Sequence, residues 1–87
     1  MDQNEFNDLI LLDDNSIKRI AREVPSKDLA LALNLSTEEL QKKFFKNMSE
    51  RIVPLLQELM QVLGTKDLDE CISSQERILS VWRDLKK

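Results

Sequence analysis

A compact all-α domain is what these 87 residues predict, and three observations predict it. Apolar residues recur at helical spacings of three, four and seven, and no stretch alternates with the period of a strand. Ser, Thr, Asp and Asn stand where those patterns begin, and Pro25 and Gly64 stand where two of them break. The composition, 41% hydrophobic and 33% charged, is that of a helical globular chain, and no linker, repeat or charge block divides it. A chain of this length can bury one modest core without staples.

The elements follow in order. Asn4 is positioned to cap a short first helix carrying Phe6, Leu9 and Ile10. The Asp13-Asp14 pair opens a second, with Ile17, Ile20, Ala21 and Val24 on one side and Lys18, Arg19 and Arg22 on the other. Its acidic start and basic end complement the helix dipole. Pro25 stops it, because the residue before a proline avoids the helical region. Ser26 then caps a third helical segment, Asp28 through Leu33. The Leu-Ala-Leu-Ala-Leu run could imitate a strand, but the helix propensity of Leu and Ala makes it a buried helix. Asn34 suits a left-handed terminator.

Ser36-Thr37-Glu38-Glu39 reads as a capping box. The helix behind it buries Leu40, Phe44 and Met48, with Phe45 at the edge and Gln41, Lys42, Lys43 and Lys46 wet. Ser49 caps a fifth helix, Glu50 to Leu63, which Gly64 ends. Thr65 to Leu68 form a turn, and Asp69 caps a last helix carrying Ile72, Gln75, Ile78, Leu79, Trp82 and Leu85. Six helical segments with short connections result.

The same inventory removes most chemistry. With no histidine, a nucleophile has no histidine base, and one glycine cannot build a phosphate loop. The single Cys71 falls on an apolar stripe and cannot form an internal disulfide or a cysteine zinc site. Asp13-Asp14 and Asp67-Asp69 stand at helix starts, where capping accounts for them better than metal binding or acid–base work. A net charge of −3 opposes non-specific nucleic-acid binding, and no aromatic residues interleave with Lys42, Lys43 and Lys46 to stack bases. Apolar runs such as Leu9 to Leu12 are far too short for a membrane span, and Met1 to Glu5 is acidic and polar, unlike a signal peptide. A cytoplasmic, non-catalytic chain without cofactor, metal or small-molecule substrate is the expectation.

Protein recognition remains, and the fifth helix is its candidate surface. At 100° per residue Glu50, Pro54, Gln57 and Gln61 form its wet side. Arg51 and Glu58 share one line on the flank, roughly 10.5 Å apart along the axis, beside Leu55 and Val62. A rigid pair of opposite charges edged by aliphatics suits docking; the alternative is a solvated face with two unrelated charges.

Several motifs together resemble the FliG C-terminal domain, part of the rotor protein of the bacterial flagellar motor switch. They are Leu12-Asp13-Asp14-Asn15-Ser16-Ile17, Asp28-Leu29-Ala30-Leu31-Ala32-Leu33, Asn47-Met48-Ser49 with Arg51, and Leu63-Gly64, with a weaker match from Gln75 to Leu85. The resemblance covers nearly the whole chain and implies one six-helix domain over residues 1–87, with 1–12 as a hinge-proximal segment and short first helix. It implies a ridge facing the stator protein MotA, contact with the switch protein FliM, and a place at the cytoplasmic face of the inner membrane in the flagellar basal body.

Carried over by position, the stator-facing ridge consists of Arg51 and Glu58, with Lys66 supplying part of a third charge. The family's ridge lysine falls on Asn34, a second acid on Leu59, and an arginine on Asp67. Leu35 stands where the family usually has Gly, Thr65 where it has Pro, and only Phe6 remains of a Met-Phe-x-Phe hinge. Pro54 falls at about the fifth position of the ridge helix, where a missing N–H could cost roughly 3 kcal/mol. The two armadillo-like domains that precede this one in the family lie outside these residues. The resemblance therefore implies a rotor component taking part in torque generation. The second reading is a stand-alone adaptor of a flagellar or related export apparatus without a torque role.

Overall fold

In the computed structural model, residues 4–86 are described; residues 1–3 of the expected hinge-proximal segment lie outside them. Every element is helical: α1 (Asn4–Asn7), a 3-10 turn (Asp8–Leu11), α2 (Asp14–Glu23), α3 (Ser26–Asn34), α4 (Glu38–Lys46), α5 (Ile52–Leu63) and α6 (Leu68–Leu85). Five of the six expected segments are substantial helices. The first is a single α turn running into the 3-10 turn, begun at Asn4 itself.

α3 is the centre. Leu29, Ala30, Leu31, Ala32 and Leu33 are all buried, as its all-round apolar sequence requires, and it packs chiefly against α6 and α5. The small alanines allow close approach of the neighbouring backbones. Phe6, Ile17, Ile20, Leu40, Phe44, Leu56 and Ile78 complete one continuous core.

Polar groups tie the layers where apolar packing stops. Gln75, buried on α6, donates from Nε2 to the Ala32 carbonyl at 3.0 Å, and Ser74 Oγ donates to Asp28 Oδ1 at 3.1 Å. Arg77 reaches the same Asp28 oxygen at 2.9 Å. No buried side-chain nitrogen or oxygen among the described residues lacks a partner, so this polar set does not weaken the core.

Most helix starts differ from the sequence reading by one or two residues, each for a local reason. Asp13 caps α2 as expected, accepting the Ser16 N–H at 3.0 Å; the hydrogen bonding from Ser16 holds its carboxyl below the ordinary value. Pro25, not Ser26, occupies the cap position of α3: at φ −59° and ψ 148° it launches the helix by backbone alone, its carbonyl accepting from Leu29. Thr37, not Ser36, caps α4 through the Leu40 N–H, because Ser36 Oγ has turned back to donate to the Leu33 carbonyl at 2.8 Å. Asp67, not Asp69, caps α6 through the Glu70 N–H at 3.1 Å.

Two residues expected in water are tethered. Lys43 is half-buried, and its ammonium donates to the Ile10 and Leu12 carbonyls at the end of the 3-10 turn. Gln41 is half-buried as well and donates to the Leu33 carbonyl at 2.6 Å. Lys42 and Lys46 are exposed as expected.

Cys71 is fully buried, and burial, assisted by Asp67 and Glu70, pushes its thiol above the ordinary value. At neutral pH it is therefore a protonated, packed thiol and a poor nucleophile. Mixing the folded chain with Ellman's reagent should release less than a tenth of the thionitrobenzoate seen in denaturant over the first minutes. Fast stoichiometric reaction of the native chain would contradict that placement.

Candidate functional site: the exposed face of α5

α5 begins later than its sequence suggests. Ser49 organises the turn before it, its hydroxyl accepting the Arg51 N–H at 3.2 Å and its carbonyl accepting from Ile52 and Val53. The helix proper starts at Ile52, which makes Pro54 its third residue rather than its fifth. In that first turn an N–H has no intrahelical partner to lose, so Pro54 carries little of the expected penalty. Gly64 ends the helix in the left-handed region, at φ 57°.

The buried side of α5 is Leu56, with Val53, Leu59, Met60 and Leu63 half-buried around it. The opposite side carries Arg51, Leu55, Glu58 and Val62, all exposed and within one narrow stripe at 100° per residue. Leu55 is 63% exposed and Val62 68%, so two aliphatic side chains face water between and beyond the charges. The neutral flank is Pro54, Gln57 and Gln61.

Arg51 lies in the turn, but its φ of −74° and ψ of −33° are helical, so it continues the line of the α5 stripe backwards. A cation at a helix N-terminus opposes the dipole, and no acidic residue occupies that first turn to offset it. Neither Arg51 nor Glu58 has an ion-pair partner among the described residues. Lys66 is exposed but stands beyond the reversal at Gly64, in the turn before α6, and so does not extend the stripe along the helix.

The remaining positions of the expected ridge are engaged elsewhere. Asn34 does not terminate α3 in a left-handed conformation; no non-glycine residue among those described has a positive φ. Its amide instead donates to the Met60 and Gly64 carbonyls, both at 2.9 Å, closing the C-terminal end of α5. Leu59 is half-buried against the core, and Asp67 is the cap of α6. Sequence reasoning missed this use of Asn34, since its partners are 26 and 30 residues away. Among the described residues no helix is long and apolar enough to cross a membrane, and no acidic, His or Cys cluster could hold a metal ion.

Comparison with known proteins places this geometry. The FliG C-terminal domain family model matches residues 4–87. The flagellar motor switch protein FliG of Thermotoga maritima is 40% identical over 82 residues, and that of Borreliella burgdorferi 42% over the same length. Each match covers 94% of this chain but 24% of the relative, so the chain spans about a quarter of those proteins. A crystal structure of part of FliG from H. pylori superposes with a TM-score of 0.88 at 36% identity, over 93% of this chain and 38% of that one. By sequence and by fold, this chain belongs to the FliG C-terminal domain family.

Proposed function

We propose that residues 1–87 act as one non-catalytic rotor module of a flagellar motor switch, meeting the stator through the exposed stripe of α5. Arg51 carries the reading: an unpaired cation where the helix dipole disfavours one, beside exposed Leu55 and Val62. A local rule broken without internal compensation is characteristic of a surface kept for a partner. Arg51 and Glu58 supply opposite charges to match in the stator protein MotA, and Lys66 adds a cation past the end of the helix. FliM is a further partner, and the place of action is the cytoplasmic face of the inner membrane.

Arg51→Glu should weaken binding to a MotA cytoplasmic fragment tenfold or more at low salt while leaving stability within about 0.5 kcal/mol, as for other exposed sites. Unchanged binding would remove the ridge from the proposal.

The use of Asn34, Leu59 and Asp67 within the fold itself favours a second reading. With those positions serving the fold, the ridge has fewer charges than a torque surface would employ, which suits an adaptor of a flagellar or related export apparatus. Recovery of export components without stator protein in a co-purification would select that reading; recovery of the stator would select the rotor.

A further inference from the structure

A second surface lies on the other side of the turn that precedes α5. Between α2 and the connection from α4 to α5 runs a groove of about 290 Å³, floored by Ala21, Met48 and Ile52. Lys18 and Arg22, one turn apart on α2, form its rim, and Asn47 and Ser49 line its polar end. Ile52 is 42% exposed, so part of this apolar floor is open to solvent.

The charges are the informative part. In a chain of net charge −3, Lys27, Lys42, Lys46 and Arg77 each have a carboxylate within 4.0 Å. Lys18 and Arg22 have none among the described residues. They repel one another at this spacing. Asp14, one turn before Lys18, is already held by Lys46 at 3.9 Å and by the Asn47 amide at 3.0 Å. Two cations without a carboxylate partner thus border an apolar floor, and the Ser49 hydroxyl proton has no acceptor among the described residues.

We infer that this groove receives an acidic segment of a partner protein, one apolar side chain seated on Met48 and Ile52 and flanking carboxylates paired with Lys18 and Arg22. The volume suits a side chain rather than a drug-sized ligand. Methionine in the floor adapts to the shape of the entering side chain. Nucleic acid fits poorly, because the lining has no aromatic ring to stack a base and two cations are a small phosphate footprint. The inference does not depend on the α5 stripe, whose charges lie outside the groove lining.

The test uses the isotope-labelled 87-residue chain and three synthetic peptides, each with two glutamates on either side of a central Phe, Leu or Met. At least one should bind saturably and shift the amides of Ala21, Met48, Ser49 and Ile52. Its counterparts with central Ser, or with Gln in place of Glu, should bind at least tenfold more weakly. The double variant Lys18→Glu, Arg22→Glu should lose binding tenfold or more with its spectrum still dispersed, whereas Arg51→Glu should keep it. Absence of shifts at those four amides with all three peptides overturns the inference. So does equal binding of the Ser peptide, unchanged binding by the double variant, or loss of binding in Arg51→Glu.

Discussion

Replacing Phe44 by Ala should lower the unfolding free energy by about 3–5 kcal/mol, the range for deleting a fully buried aromatic side chain. Phe44 is wholly inaccessible to solvent and, with Leu40, is one of the two residues of α4 that are fully in the core. The other members of that helix are exposed or at the edge, so its apolar anchoring rests chiefly on this pair, beside the polar tethers of Gln41 and Lys43. A domain of this length has a total stability of roughly 4–13 kcal/mol. The loss therefore amounts to a large part of the whole, and the variant should unfold at a much lower urea concentration with a similar slope. Phe44→Leu keeps most of the apolar volume and should cost less than half as much. A loss below about 1 kcal/mol for Phe44→Ala would mean that the cavity collapses freely and that the core is loosely packed.

The core was legible because helical period alone identifies it. Ile17, Ile20, Leu29, Leu33, Leu40, Phe44 and Ile78 were placed on buried faces by spacing, and all are buried. The all-round apolar run of α3 marked the central helix, and the structure puts it against both α5 and α6. Helix starts were legible only approximately. At Ser36-Thr37 and at Asp67-Leu68-Asp69, adjacent capping residues compete, and the choice depends on which side chain finds another acceptor or donor first. The sequence does not show that Ser36 is spent on the Leu33 carbonyl.

Long-range polar tethers were not legible. Lys43 looked like one of three solvated lysines, and only the folded chain brings the Ile10 and Leu12 carbonyls to it. Ser74 falls in line with Cys71 and Ile78, but the sequence does not show that Asp28 is the partner its hydroxyl finds there. The α5 stripe was readable from spacing, but its start was not. Treating Ser49 as a side-chain cap placed Pro54 too deep in the helix, and the strain expected there followed from that misplaced start.

Asn34→Asp should destabilise the domain by about 2–3 kcal/mol at neutral pH, a large effect for a change of one amide to a carboxylate. Asn34 is the last residue of α3, and its amide closes the last carbonyls of α5. Two helix C-terminal ends, each with partial negative charge, therefore meet at this side chain. Aspartate is nearly the same shape but offers no donor, so two half-buried hydrogen bonds are lost; the Met60 carbonyl keeps the Gly64 N–H, and the Gly64 carbonyl loses its donor, at about 1–3 kcal/mol for leaving such a group unsatisfied. Its charge also faces both negative ends, adding a few tenths to about 1 kcal/mol. Asn34→Ala removes the donors without adding charge and should cost less; Asn34→Lys restores donors and a favourable sign and should cost least. The order Asp worst, Ala intermediate, Lys mildest distinguishes an electrostatic cap from simple packing, which would penalise Lys most. Amide exchange at Gly64, whose N–H bonds to Met60 at 2.8 Å, should accelerate in the Asp variant before global unfolding does. Exchange there unchanged from the parent chain would show that the end of α5 is held by its Leu63 and Met60 contacts instead, and that Asn34 is a bystander to the position of the exposed stripe.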